Sequence, residues 1–330
     1  MLLLSIVIPC YNEEEGIAVS LDMLTHKLEE FSIKDYEIIC VNDGSKDQTL
    51  SILQNYAQKD HRIKIVSLAA NRGQQIAFYA GMCYSSGEAV ILMDADLQDP
   101  PDCIPEMMRL WKEGYQVVFG KRIVRQGEGI FKRLTAFLFY RLLNNLSYTA
   151  IPQDVGEFRL MDRVVVDVVI NMEEHNRFNR AMVSWLGFSQ IEFPFERTER
   201  TIGTTKFGMK DMFQLAKDGL FSFSYFPILF LQSLGLIAIA VSIILAIYTL
   251  YSLFFTSNFI PGWGSLMMTL LFFSGAILLG LGIIGEYVAR IHTEVIKRPL
   301  FIAAETMNLK NKELPKHLSY FHSRFSKNLK

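Results

Sequence analysis

The sequence predicts an α/β domain on a mostly parallel sheet, followed by a two-helix transmembrane hairpin and a short tail. Three observations carry that expectation. Short apolar runs alternate with amphipathic stretches over roughly the first two thirds of the chain, the pattern of strand–helix–strand winding. From Gly219 to Gly285 there is no Asp, Glu, Lys, Arg or His, whereas a spanning helix needs only about 20 apolar residues. Polar clusters follow the predicted strands, at the edge where open α/β sheets bind ligands.

Taken in order, Leu3 to Ile8, Tyr36 to Val41, Ile63 to Leu68, Ala89 to Met93 and Val117 to Gly120 read as strands. They are short, apolar and rich in β-branched residues. Between them Glu14 to Phe31, Thr49 to Asp60, Gln74 to Ser85 and Ile104 to Glu113 carry helical periodicity. The predicted domain covers residues 1–226. Near its end Gly129 to Ser147 combines Phe131, Leu134, Phe137, Leu138, Leu142 and Leu146 at helical spacing with Lys132, Arg133 and Arg141. Such a helix either lies in a membrane interface or packs on its own domain. A second stretch of this kind, Met209 to Phe226, leads into the uncharged segment with aromatic residues suited to headgroup depth.

The uncharged segment breaks at Thr256-Ser-Asn-Phe-Ile-Pro-Gly-Trp-Gly264. We expect a hairpin over 227–291, with helices at about Ile228 to Phe255 and Ser265 to Ile284. Lys206, Lys210 and Lys217 precede it and Arg290, Lys297 and Arg298 follow it, while the connecting turn has no cation. The positive-inside rule then sets both ends in the cytoplasm of a multi-pass protein of the plasma or inner membrane. Residues 292–330 are expected to form a cytosolic tail. From Glu305 onward the tail is rich in Lys and His, and the pattern leaves open whether it lies on lipid, docks on a neighbouring subunit or stays mobile.

Composition narrows the function classes. Half of the 330 residues are apolar, and 33 basic residues against 34 acidic ones give a net charge of −1. Mean hydropathy is positive. No global field draws nucleic acid, so anion binding must come from local basic clusters. Cys10, Cys40, Cys83 and Cys103 form no Cys-x-x-Cys pair and read as buried thiols of a reducing compartment. The apolar run at Leu2 to Ile8 is too short for a secretory signal and ends at Pro9. Neither a GxxxxGK[ST] loop nor a GxGxxG fingerprint occurs.

Four polar loops converge on one edge: Tyr11-Asn12-Glu13, Asn42-Asp43-Gly44-Ser45, Asn71-Arg72-Gly73 and Asp94-Ala95-Asp96. The last is the sharpest. Two carboxylates one residue apart at a strand end point the same way, and Gln98 adds a neutral oxygen. Hard cations such as Mg²⁺ take one or two carboxylates together with substrate phosphates.

Val7-Ile-Pro-Cys-Tyr-Asn-Glu13, Val41-Asn-Asp-Gly-Ser45, Asn71-Arg-Gly73, Asp94-Ala-Asp-Leu-Gln98 and Glu157-Phe-Arg-Leu-Met-Asp162 together resemble the inverting glycosyltransferases of the type-A (GT-A) fold. More narrowly, the chain is similar to polyprenyl-phosphate glycosyltransferases, the relatives of dolichyl-phosphate mannose synthase and bactoprenol glucosyltransferases. The similarity runs on through Arg200-x-x-Gly203-x-Thr205-Lys206 and Gly282-Ile-Ile-Gly-Glu-Tyr-Val-Ala-Arg290.

The resemblance implies a site residue by residue. Pro9, Tyr11, Glu13 and Asp43 match positions that hold the nucleotide, and Asp94, Arg200 and Lys206 complete the donor set. Asp94, Asp96 and Gln98 match the metal position, for Mg²⁺ or Mn²⁺. Arg122 and Lys132 match basic positions toward the acceptor phosphate. Asp96, Glu157 and Arg159 match the catalytic positions. The chain departs from the family at Glu157, where Asp is common and is often assigned as the base. A phosphate monoester has a second pKa near ~6 and is largely dianionic at neutral pH. We therefore expect Glu157 to position the acceptor or orient Arg159 more than to remove a proton.

The implied reaction moves a hexose from UDP-glucose or UDP-N-acetylglucosamine to undecaprenyl or another polyprenyl phosphate, with inversion. GDP-mannose is the alternative donor. The implied partners are the nucleotide sugar, the lipid, the bilayer and further copies of the chain as a homo-oligomer. A processive polysaccharide synthase would carry Gln-x-x-Arg-Trp; Asn179-Arg-Ala-Met-Val-Ser-Trp185 is the nearest stretch and lacks it. A membrane-tethered sugar-nucleotide-binding scaffold is the non-enzyme alternative, and the intact Asp94-Ala-Asp96 pair speaks against it.

Overall fold

The structure, a computed structural model, describes residues 3–96, 98–123, 155–196, 226–255 and 262–309. Its frame is a sheet of eight strands: β1 (Leu4–Cys10), β2 (Tyr36–Asn42), β3 (Ile63–Leu68), β4 (Ala89–Leu92), β5 (Val117–Arg122), β6 (Val155–Asp162), β7 (Gln190–Phe195) and β8 (Ala303–Met307). The spatial order is β7-β5-β6-β4-β1-β2-β3-β8. The helices of the α/β part are α1 (Ile17–Glu30), α2 (Thr49–Lys59), α3 (Gln74–Tyr84), α4 (Ile104–Lys112), α5 (Arg163–Asn171) and α6 (Asn179–Trp185).

Strand alternation explains the two cores. Along β1, Ile6 and Ile8 turn to one face while Val7 turns to the other, and β2 divides Ile38 and Cys40 from Ile39 and Val41 in the same way. The first face packs against Leu21, Leu24 and Leu28 of α1, Leu53 of α2 and Met107 of α4. The second packs against Phe78 and Met82 of α3 and Val166 and Val169 of α5. Burial on both faces is why these strands read as unbroken apolar runs. Gly81 lets α3 lie close on the sheet, since a Cβ there would meet Val7 Cγ1 at 2.2 Å. Asp162 caps α5 by accepting from the Val164 amide at 2.9 Å and also takes the Trp111 indole N–H at 2.7 Å.

The sheet is mixed, which refines the mostly parallel expectation. β4, β1, β2 and β3 pair in parallel, but β6 runs antiparallel to both β4 and β5. The predicted tail is also corrected. Ala303–Met307 returns as an edge strand antiparallel to β3, and Asn308 fastens it by donating to the carbonyls of Ala57 and Ile63 at 2.6 and 2.9 Å.

Between the α/β body and β8 stand two long helices, α7 (Phe226–Phe255, 30 residues) and α8 (Trp263–Ile296, 34 residues). They touch near Gly280, where a Cβ would meet Leu231 at 3.7 Å. Among the described residues, Phe272–Ile296 is long and apolar enough to cross a membrane, and none of it is buried. This reaches beyond the predicted second span because α8 continues for three further turns past Ile284, through the Glu286–Arg290 ion pair at 3.1 Å. The base of α8 is tied to the body. Glu294 accepts from the His175 amide at 2.9 Å and lies 3.1 Å from its Nδ1, and the Arg298 carbonyl is 2.6 Å from Nε2. The predicted interfacial helix at 129–147, and all of 209–226 but its last residue, lie outside the described residues.

Candidate active site

The carboxyl ends of β1 and β2 open into loops that are sewn together. The Asn12 amide donates to Ser45 Oγ at 3.0 Å, and the Lys46 amide donates to Asn12 Oδ1 at 2.8 Å. The Glu13 amide donates to Thr49 Oγ1 at 2.8 Å and the Glu14 amide to Asp47 at 3.2 Å. Burial raises the Asp47 carboxyl, but hydrogen bonds from the Thr49 hydroxyl and amide outweigh it and hold the group low. Pro9 fits a central strand because its missing N–H falls beyond the β4 ladder, which ends at Val7 and Leu92. The outcome is a fixed shelf carrying Pro9, Tyr11 and Glu13.

Asp43 joins a third loop to this shelf. It is buried, at 3% exposure, and its two oxygens accept the amides of Arg72 at 2.7 Å and Gly73 at 2.9 Å. Burial pushes its carboxyl above the usual range, and the two amides pull it back. The approach is possible because residue 44 is glycine, with φ +67°; a Cβ would meet the Asn71 amide nitrogen at 2.6 Å. Asn42 completes the junction by donating to Ser67 Oγ at 2.9 Å and accepting the Ser45 amide at 3.2 Å.

Beyond β4 the chain turns through Asp94 and Asp96, both half-buried. Ser20 of α1 fixes the turn by donating to the Ala95 carbonyl at 2.6 Å. Asp94 accepts from Gln74 Nε2 at 2.6 Å, and Asp96 accepts the Gln98 amide at 3.1 Å. Two carboxylates and an amide side chain are oxygen donors of the kind hard divalent cations take, so the residues fit Mg²⁺ or Mn²⁺. Among the described residues no group of three His, Cys, Asp or Glu side chains converges. An ion here would complete its shell with substrate or water oxygens.

β6 supplies the opposite wall. Arg159 is paired with Leu92, the last residue of β4, so the antiparallel register carried onward sets Glu157 level with Asp94. Both charges are buried, Glu157 at 7% and Arg159 at 3% exposure. Arg159 Nη2 lies 3.7 Å from Glu157 Oε2 and donates to the Gly156 carbonyl at 2.9 Å. Burial pushes the Arg159 guanidinium down, Glu157 pulls it back up, and Arg180 opposes that pull. Arg180 brings its Nε to 3.5 Å from Glu157 Oε1, and Gln75 Nε2 donates to the same oxygen at 3.1 Å. A buried anion thus stands between two guanidiniums, groups suited to holding phosphate oxygens.

Pro9, Tyr11, Glu13, Asp43, Asp94, Asp96, Gln98, Glu157 and Arg159 lie toward one edge of the sheet. Arg122 ends β5; its side chain, and Lys132, Arg200 and Lys206, lie outside the described residues. Sequence reasoning missed Gln74, Gln75, Asn179 and Arg180. The glutamines directly follow the Asn71-Arg72-Gly73 loop, and Arg180 lies in the stretch weighed only for an absent synthase motif.

The family model described as Glycosyl transferase family 2 matches residues 5–170. A Bacillus subtilis (strain 168) protein named as an uncharacterized glycosyltransferase, YkcC, is 44% identical over 94% of this chain and 96% of its own. A prophage bactoprenol glucosyl transferase homolog of Escherichia coli (strain K12) is 37% identical, covering 91% of this chain and 97% of its own. The bactoprenol glucosyl transferase of Shigella phage SfII is also 37% identical, covering 91% and 96%.

Proposed function

The chain belongs to glycosyl transferase family 2 and is a glycosyltransferase; from that premise we propose that it moves a hexose from a nucleotide diphosphate to a polyprenyl phosphate at the cytoplasmic face of a membrane. The observation that carries the reading is the shared edge: loops joined into one shelf, two carboxylates and a buried Glu–Arg pair on adjacent strand ends. Relatives named as bactoprenol glucosyl transferases at 37% identity support the lipid acceptor and favour UDP-glucose as the donor.

The shelf of Pro9, Tyr11, Glu13 and Asp43 receives the base and ribose. Asp94, Asp96 and Gln98 would hold Mg²⁺ or Mn²⁺, which when bound neutralises charge on the departing nucleoside diphosphate. Arg200 and Lys206 serve the donor diphosphate, and Arg122 and Lys132 the lipid phosphate. A lipid phosphate oxygen attacks the anomeric carbon as its bond to the diphosphate breaks, so the product has inverted configuration. With a second pKa near ~6 the acceptor is already deprotonated. Glu157 then holds Arg159 and Arg180 in place for the phosphates rather than taking a proton.

The two long helices fix this edge beside the lipid. At ~1.5 Å per residue each exceeds the ~30 Å of hydrocarbon in a bilayer, and Ile237, Ile244, Ile247, Ile277, Leu278 and Leu281 are more than half exposed. We assign them as a hairpin over about 227–291 with both flanks cytoplasmic, because the cations lie on the flanks.

A panel of UDP- and GDP-sugars incubated with purified protein, Mn²⁺ and a short-chain polyprenyl phosphate tests the reading. UDP release with UDP-glucose, dependent on the lipid, is expected. Turnover only with GDP-mannose would replace the donor, and no lipid-dependent turnover with any sugar would overturn the assignment.

A further inference from the structure

The carboxylate of Glu157 is held by residues that belong to none of the family motifs found in the sequence. The carboxamide of Gln75 has a fixed orientation. Its Oε1 accepts the Asn179 amide at 3.0 Å, so its Nε2 is the group directed at Glu157 Oε1, at 3.1 Å. Asn179 Nδ2 donates a second bond, to the Gln75 carbonyl at 3.1 Å, so Asn179 holds both the side chain and the backbone of Gln75. Asn179 is 1% exposed. It opens α6, and the next residue, Arg180, brings a second cation to the same carboxylate oxygen at 3.5 Å while donating to the Val155 carbonyl at 3.0 Å.

The segment ahead of α6 is itself rigid. Arg177 lies 3.9 Å above the Tyr79 ring and donates to the carbonyls of Val169 and Met172, both at 2.9 Å. Thus the first turns of α3 and α6 converge on one oxygen of one buried acid. A buried carboxylate is costly unless paired and hydrogen-bonded; Arg159 lies 3.7 Å from Oε2, and Gln75 supplies the hydrogen bond to Oε1. One hydrogen-bond donor, Gln75 Nε2, and one cation, Arg180, placed on a single oxygen restrict the orientation of the side chain.

We infer that Gln75, oriented by Asn179, and Arg180 are positioning residues for the transfer reaction, acting through Glu157. The inference rests on the reading of Glu157 as part of the reaction site. It makes Gln75 and Arg180 matter for turnover and not for donor affinity, since neither reaches the nucleotide shelf through any described contact.

A double-mutant cycle separates this role from a structural one. Gln75→Leu and Glu157→Gln are each expected to lower kcat by roughly tenfold with the donor KM within about twofold, and the double variant by no more than the larger single effect, because residues acting as a unit are non-additive. Arg180→Met in place of Gln75→Leu is expected to behave alike, with Arg180→Lys recovering part of the loss; this arm decides the matter if Gln75→Leu does not fold. Multiplying losses in the double variants would overturn the inference and leave the role of Glu157 standing. Full activity of Gln75→Leu and Arg180→Met would overturn it likewise. Full activity of Glu157→Gln would overturn the reading of Glu157 and the inference with it.

Discussion

Replacing Gly44 with Ala strikes the junction on which the nucleotide shelf depends. Two costs follow from the structure. At φ +67° a residue with a Cβ costs roughly 1–2 kcal/mol. The added atom would also meet the Asn71 amide nitrogen at 2.6 Å and the Ala70 carbonyl carbon at 2.8 Å. Both are backbone atoms that cannot rotate aside, so loop 69–73 must move away. That motion stretches the bonds from the Arg72 and Gly73 amides to Asp43, now 2.7 and 2.9 Å. Losing one such bond to a buried carboxylate costs about 1.5–3 kcal/mol. Together the loss is about 2.5–5 kcal/mol, which lowers the Tm of a domain of this size by roughly 5–20 °C. Thermal unfolding in detergent, followed by titration with UDP, measures both consequences. We expect the Tm to fall in that range and UDP affinity to drop by tenfold or more, the equivalent of about 1.4 kcal/mol. Gly44→Asn, which tolerates positive φ but keeps the Cβ, should recover little. A variant Gly44→Ala that melts within about 2 °C of the parent and binds UDP equally well would refute the reasoning.

Three further outcomes follow from the same geometry. Asp96→Asn should keep its fold and lose nearly all divalent-cation-dependent turnover; unchanged turnover across an Mn²⁺ titration would remove Asp96 from the metal set. Glu157→Gln should lower kcat by less than about 100-fold, toward or below the lower end of what loss of a general base costs; at the same time it should lower the Tm, because Arg159 loses its buried counter-charge. A collapse of several orders of magnitude in kcat with unchanged Tm would restore Glu157 as the base. Cys103 is pushed up to about 11, by burial first and then by Asp102 and Asp99. Against a free thiol near 8.5 this leaves about 300-fold less thiolate at neutral pH. Iodoacetamide labelling followed by mass spectrometry should be correspondingly slow at pH 7.5 and rise about tenfold per pH unit toward 11; labelling at the rate of a free thiol would contradict the raised value.

The first five strands and four helices were legible because each strand sends apolar residues into both cores and so reads as a short unbroken apolar run. The remaining strands lack it. β6 carries Glu157 and Arg159 in positions that a solvated strand would also allow, and their burial is offset by their own ion pair together with contacts from α3 and α6. β7 contains Pro194 and pairs with β5 alone, as suits an edge. β8 is five residues with no apolar run, and its partner β3 lies more than two hundred residues earlier, beyond the reach of any window. The site divides the same way. Asp43, Asp94 and Asp96 stand at strand ends where carboxylates are conspicuous. Gln75, Asn179 and Arg180 act through an oriented amide and a buried ion pair, and no spacing in the sequence announces either.

Transfer to the lipid phosphate itself is open to a direct measurement. Undecaprenyl phosphate should be incubated with the protein, UDP-[¹³C]glucose and Mn²⁺, and the extracted lipid analysed by mass spectrometry and NMR. The account predicts a lipid heavier by one labelled hexosyl group, phosphate-linked, with the anomeric configuration opposite to that of the donor. Consumption of the donor to free glucose with the lipid unmodified, or a glycolipid of retained configuration, would contradict it.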